Sequence, residues 1–166
     1  SGISLAILPP AGRERLLRLA RELRDRGATV AFDNNYRPRL WPDMATARDA
    51  FRRACGTATL ALMTLDDEQL LWGEGDAAAQ LRATLALPCP EVVVKRGAGS
   101  TLVRDAAGAR VEVSTEPVSQ VVDTTAAGDS FAGAYLAARL SGASAADAAR
   151  AGNRLAARVV QFRGAL

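Results

Sequence analysis

The sequence predicts an α/β domain with a mostly parallel sheet. Three observations carry this expectation: short β-branched apolar segments alternate with helical periodicity, a hairpin pattern follows the strongest of those segments, and the last third is helical. The 166 residues are 49% apolar and 23% charged, which is enough material for one sizeable core. No internal repeat or low-complexity linker divides the chain, so a single unit over residues 1–166 is expected.

In residues 11–27, Leu16, Leu19, Ala20 and Leu23 recur at i, i+3, i+4 and i+7, and Gly27 closes an amphipathic helix. Glu14 with Arg18 and Glu22 with Arg26 are i,i+4 pairs on its wet side. Residues 29–33 form a short strand ending in the polar pair Asn34 and Asn35. Pro38 and Pro42 each bias the preceding residue away from helix, so 36–42 is a loop. A helix over 44–55, a strand over 59–63 and helical stretches over 66–71 and 76–85 follow. Residues 91–95, with three consecutive valines, give the clearest strand pattern, and the run suits burial on both faces. Segments 101–104 and 110–113 flank the turn Asp105-Ala106-Ala107-Gly108 and predict a hairpin. Helices over 128–140 and 145–162 complete the chain, the second with Ser144 and Asp147 spaced as a capping box. In sheets of this kind ligands lie beyond the carboxyl ends of the strands, which directs attention to 33–37, 64–67 and 95–100.

Composition excludes several chemistries. The chain has no histidine, two cysteines, twenty arginines and one lysine, Lys95. A Ser-His-Asp or Cys-His site, a histidine-ligated metal and a Cys₄ zinc site are therefore ruled out. Cys55 and Cys89 do not resemble a secreted disulfide framework, and a reducing cytoplasm is expected, with both thiols as apolar filler. No segment reaches the roughly 18 apolar residues that cross a bilayer, so no membrane partner is expected. The net charge of +3 is spread over arginines that alternate with acids, and only 5% of residues are aromatic, so nucleic acid is not an expected partner either.

The chemistry is concentrated in residues 121–131, Val-Val-Asp-Thr-Thr-Ala-Ala-Gly-Asp-Ser-Phe, which run into a helix. Small residues at Ala126, Ala127 and Gly128 let backbone N–H groups converge at the helix start, where the dipole also favours an anion such as a phosphoryl group in flight. Asp129, in the first turn, is itself negative and suits proton acceptance from an attacking hydroxyl. A carboxylate that merely stabilises the helix start is the alternative reading of the same residue.

Asp-Thr-Thr-Ala-Ala-Gly-Asp-Ser-Phe closely resembles the C-terminal signature of the ribokinase-like, or PfkB, sugar kinases. Residues 1–6, 32–42, 95–99 and 160–166 are similar to the corresponding pieces of the 2-keto-3-deoxygluconate kinase branch, so the resemblance extends over essentially the whole chain. It implies a three-layer α/β/α fold and ATP-dependent transfer of a phosphoryl group to the 6-hydroxyl of a sugar acid. A fructokinase- or ribokinase-type activity is the alternative within the family; outside it, the alternative is an inactive nucleotide-binding fragment. Asp129 would be the base, and Ala126, Ala127 and Gly128 the anion hole. Arg37 would grip the carboxylate of the sugar acid through paired hydrogen bonds, with Asn35 and Tyr36 beside it. Lys95, Gly97, Ser100, Thr64 and Asn153 would bind the nucleotide. Asp67 would act through water on Mg²⁺, and a monovalent cation is a further implied cofactor. Taken singly, Arg37 could be an exposed loop arginine, Lys95 a strand end, Gly97 a turn glycine and Asp67 a helix-start acid. No Gly-Lys-Ser/Thr occurs, which excludes a P-loop but not this family.

Two residues depart from the family pattern. Ala126 stands in place of the first anion-hole glycine, and would carry strain on the order of 1 kcal/mol if φ is positive there. Ser100 replaces the second glycine after Lys95. Family members are about twice as long, so the resemblance implies a C-terminal part lacking N-terminal strands and the β lid. An exposed sheet edge and uncovered apolar surface are expected consequences. A homo-oligomer is left open for the complete protein.

Overall fold

The computed structural model describes residues 1–73 and 75–164. The matched residues Ala165 and Leu166 lie outside that range. The chain runs α1 (Gly2–Ile7), α2 (Pro10–Asp25), β1 (Ala31–Asp33), a 3₁₀ turn (Pro38–Leu40), α3 (Met44–Thr57), β2 (Leu60–Thr64), α4 (Leu65–Trp72) and α5 (Ala77–Leu85). It continues through β3 (Glu91–Lys95), β4 (Thr101–Arg104), β5 (Arg110–Val113), α6 (Ala127–Leu140) and α7 (Ala145–Val159). The expected elements are all present; α1 was not anticipated.

The five strands lie in sequence order. β1, β2 and β3 are parallel, with Leu60 opposite Ala31 and Glu91, whereas β4 and β5 turn back antiparallel as the expected hairpin. The sheet is therefore evenly mixed rather than mostly parallel: the α/β crossovers generate its two parallel pairs, and the turns over 96–100 and Asp105–Gly108 its two antiparallel pairs. Alternation along the strands divides the core. Ala61, Met63, Val92 and Val94 face α1 to α5, while Leu60, Leu62 and Val93 face α6 and α7, giving three layers. All five β3 residues are buried, as its valine run requires.

Glu91 fixes the direction of α6. Its carboxylate, buried at the start of β3, accepts from the Tyr135 hydroxyl at 2.6 Å and from Arg139 at 2.7 and 3.0 Å. Lys95, at the other end of the strand, stands against Gly128: a Cβ added there would lie 3.6 Å from Nζ. From Gly128 to Arg139 the helix rises about 16 Å, and β3 spans about 13 Å between these contacts, so the two run antiparallel. The N-terminus of α6 is thereby delivered to the carboxyl end of the parallel strands.

The amphipathic reading of α2 requires correction. Leu17 is its buried residue, at 4% exposure, whereas Leu16, Leu19 and Leu23 are 39%, 49% and 42% exposed. The helix packs mainly on α3, and Arg13 near its start bonds back to the Leu5 carbonyl at 2.9 Å. Exposed apolar side chains on α2 and a sheet edge at β1 are both present.

Candidate functional site

A cleft of about 950 Å³ opens at the carboxyl ends of β1, β2 and β3, bounded by the start of α6 and the segment 115–118. Each strand end contributes one polar side chain: Asp33, Thr64 and Lys95. Thr64 lies opposite Lys95, while Asp33 lies opposite Leu62, two residues earlier on β2; the even spacing puts all three on the same face of the sheet, with Asp33 one step back from the other two.

At the head of α6, Ala126 adopts φ 59°, the left-handed conformation foreseen for an anion-hole residue. The turn before it is shaped by Asp123, whose carboxylate accepts from Thr125 N–H at 2.8 Å and Gly164 N–H at 3.0 Å. These bonds, led by those from Thr125, hold the Asp123 pKa down at about 2. Ala127 N–H donates to the Thr124 carbonyl at 3.2 Å, and Ser130 N–H to Ala126 at 2.8 Å. Among the described residues, the N–H groups of Ala126, Gly128 and Asp129 have no acceptor. The amide of Ala127 is thus taken, and that of Asp129 replaces it among the free donors. The Asp129 side chain is exposed on the cleft, with no ion-pair or hydrogen-bond partner among the described residues.

Across the cleft, Arg37 is half exposed. Its guanidinium donates to the Tyr36 carbonyl at 2.8 Å and lies 3.8 Å from Asp67. Asp67, in the first turn of α4, also accepts from Tyr36 N–H at 3.1 Å, and burial raises its pKa despite that bond and Arg37. Asn35 takes φ 29°, and its buried Oδ1 has no partner among the described residues. Gly97 turns the chain after β3 at φ 58°, a conformation that favours glycine.

Three expected site residues are placed differently. The Tyr36 ring is buried, 3% exposed, edge-on to Phe51 at 5.7 Å, so its side chain packs in the core because the chain reverses at Asn35. Ser100 bonds to Arg96 and Glu112 on the hairpin and does not line the cleft. Asn153 does line it, with its side chain largely engaged: Oδ1 accepts from the Thr101 hydroxyl at 2.8 Å, and Nδ2 donates to the Ser114 and Val113 carbonyls at 3.0 and 3.4 Å. It fastens α7 to the hairpin and to the segment that follows it, and leaves one Oδ1 acceptor position toward the cleft.

Sequence reasoning missed Asn34 and under-read Asp33. Asn34, wholly buried, accepts from Asn35 and Thr64 N–H at 2.9 Å and donates to the Thr64 carbonyl and to Glu68 at 3.0 and 3.2 Å. It locks the ends of β1 and β2 together. The only sequence signal was its place in the polar cluster after the strand.

The family model described as pfkB family carbohydrate kinase matches residues 1–166. The chain is 49% identical over 168 residues to 2-dehydro-3-deoxygluconokinase of Escherichia coli K12, covering all of this chain and 54% of that protein. It thus spans about half the length of the curated relatives it matches. Among solved structures, a ribokinase II from E. coli in complex with ATP and Mg²⁺ superposes with TM-score 0.80 at 27% identity, covering 99% of this chain and 52% of that one. Fructokinase from Vibrio cholerae, holding fructose, ADP and potassium, gives 0.81 at 28% identity over 98% and 54%. Taken with the free amides and Asp129 at the head of α6, the match over the whole chain shows that it belongs to the pfkB family of carbohydrate kinases.

Proposed function

We propose that the chain is the C-terminal half of an ATP-dependent 2-keto-3-deoxygluconate kinase, supplying its base, its anion hole and one wall of its sugar site. The 6-hydroxyl oxygen of the sugar acid attacks the γ-phosphorus, the bond from that phosphorus to the ADP oxygen breaks, and the hydroxyl proton passes to Asp129. The products are 2-keto-3-deoxy-6-phosphogluconate and ADP. The free amides of Ala126, Gly128 and Asp129 hold the phosphoryl oxygens, aided by the α6 dipole. Arg37 meets the substrate carboxylate, where a planar fork of donors is most effective, and Asn35 lies beside it. The nucleotide lies over Gly97 and Thr64 toward segment 115–118.

Mg²⁺ belongs to the proposal as the ion that draws charge from the phosphate oxygens, with Asp67 acting on its water. The described residues hold no cluster of three possible metal ligands. A monovalent cation is included on the strength of the potassium in the V. cholerae relative. No helix among the described residues is long and apolar enough to cross a membrane.

The observation that carries the reading is the Asp129 carboxylate beside unpaired amides at the start of α6. In the complete enzyme, Asp129→Asn is expected to lower kcat at least about 10³-fold with ATP affinity within about twofold, given what a positioned base contributes. Turnover near that of the parent enzyme would overturn it.

A further inference from the structure

The cleft contains a charge that the proposed reaction has not used. Lys95 Nζ lies 3.2 Å from Asp33 Oδ1, with the two side chains 10% and 17% exposed. The same ammonium stands against Gly128, where an added Cβ would fall 3.6 Å from it. An ammonium has three N–H donors, and among the described residues Asp33 is the only acceptor. Donors are thus left over at the floor of the cleft, beside the unpaired amides of Gly128 and Asp129.

Asp33 balances the charge, but the spare donors face the cleft, where an anion is a stronger acceptor than water. The anion must have several oxygens and must reach the N-terminus of α6 and the end of β3 together. A phosphoryl group meets both conditions. Glycine at 128 fits the same picture, since any side chain there would occupy the gap between the ammonium and the helix start.

Resting on the kinase reading above, we propose that Lys95 is a catalytic residue that contacts the transferring phosphoryl group, and that Asp33 is the positioning residue that holds it there. Lys95 donates hydrogen bonds to the phosphoryl oxygens while the bond to the sugar oxygen forms, the bond to ADP breaks and Asp129 takes the proton. Asp33 fixes the ammonium on the α6 side of the sheet end and touches no reacting atom.

The test uses the complete enzyme with 2-keto-3-deoxygluconate, ATP and ADP. Lys95→Met should lower kcat by about 10²-fold or more, the scale for losing one preorganised donor to a developing charge. ADP affinity, measured by calorimetry, should stay within about twofold, because ADP lacks the group contacted, while affinity for a non-hydrolysable ATP analogue should fall. Asp33→Asn should lower kcat by about tenfold, and the double variant should be no worse than Lys95→Met alone, as expected for a residue acting through another. Equal loss of ADP and ATP-analogue affinity would overturn the assignment and place Lys95 on the diphosphate. An unchanged kcat with a raised KM for the sugar acid would overturn it in favour of the substrate carboxylate, and additive losses in the double variant would overturn the role of Asp33. If circular dichroism shows that Lys95→Met does not fold, Lys95→Gln and Lys95→Arg are read by the same criteria. An enzyme that does not phosphorylate the sugar acid at all would sink the parent reading, yet the comparison of ADP with the ATP analogue would still decide for or against Lys95.

Discussion

Ala126 and Glu68 show what single residues contribute near the site. At φ 59°, Ala126 occupies a conformation that costs an L-residue roughly 1 to 2 kcal/mol, while glycine would forfeit about 0.5 to 1 kcal/mol through its freer unfolded chain. Ala126→Gly should therefore stabilise the complete protein by up to about 1 kcal/mol in urea denaturation and leave turnover intact, since the amide is unchanged. A clear loss of stability would show that the turn carries no strain. Glu68, 2% exposed behind the site, accepts from Asn34 and from Trp72 Nε1 at 3.2 and 3.1 Å, yet burial holds its pKa up at about 7 against an ordinary 4.5. A carboxyl whose pKa is raised by folding binds its proton more tightly in the native state. Its stabilising contribution is complete below about pH 4.5 and is lost as pH rises through 7, by roughly 3 kcal/mol. Glu68→Gln should remove that decline, so denaturation midpoints of variant and parent should diverge between pH 5 and 8. Parallel pH profiles would count against the buried carboxyl. Polarity alone could not have separated Tyr36, which packs in the core, from Asn35, which faces the cleft, because the reversal at φ 29° decides which side chain turns inward.

At the scale of elements, the head of α6 is useful only because the helix is held in place from behind. Gly152 of α7 presses directly on α6: a Cβ there would fall 2.7 Å from the Phe131 ring. Gly152→Ala should force the helices apart and cost about 1 to 3 kcal/mol, the usual range for overpacking, with a loss of kcat as the Asp129 turn shifts. Unaltered stability would mean that the α6/α7 contact is loose. The elements themselves were largely legible in the sequence, since apolar periodicity and turn residues reflect local physics: β3 and both hairpin strands fall where the pattern put them. What periodicity could not show was which neighbour each face would find. Asn153 sits at a helical position compatible with a ligand contact, but the hairpin and the residue after it take both of its donors and one of its two acceptor positions. The α2 stripe likewise had the spacing of a buried face but not the neighbour that buries it.

The whole molecule therefore has two unlike sides. Around β2 and β3 the packing is dense and dry, whereas Leu16, Leu19 and Leu23 form an exposed row on α2, with Ile7 67% exposed and β1 at the sheet edge. Apolar rows beside an open strand edge attract further chain, and the family relatives are nearly twice as long as this one. The proposed sugar site is similarly one-sided, with Arg37 and Asn35 on one wall of the cleft. The 166-residue chain produced alone is thus expected to self-associate and to release almost no ADP with 2-keto-3-deoxygluconate and ATP. Light scattering across a dilution series would show the association, and replacing Leu16, Leu19 and Leu23 together by Gln should move the chain toward monomer without restoring turnover. Sugar-dependent ADP release by the unmodified chain at the rate of the complete enzyme would refute this and show that the residues described here form a sufficient active site.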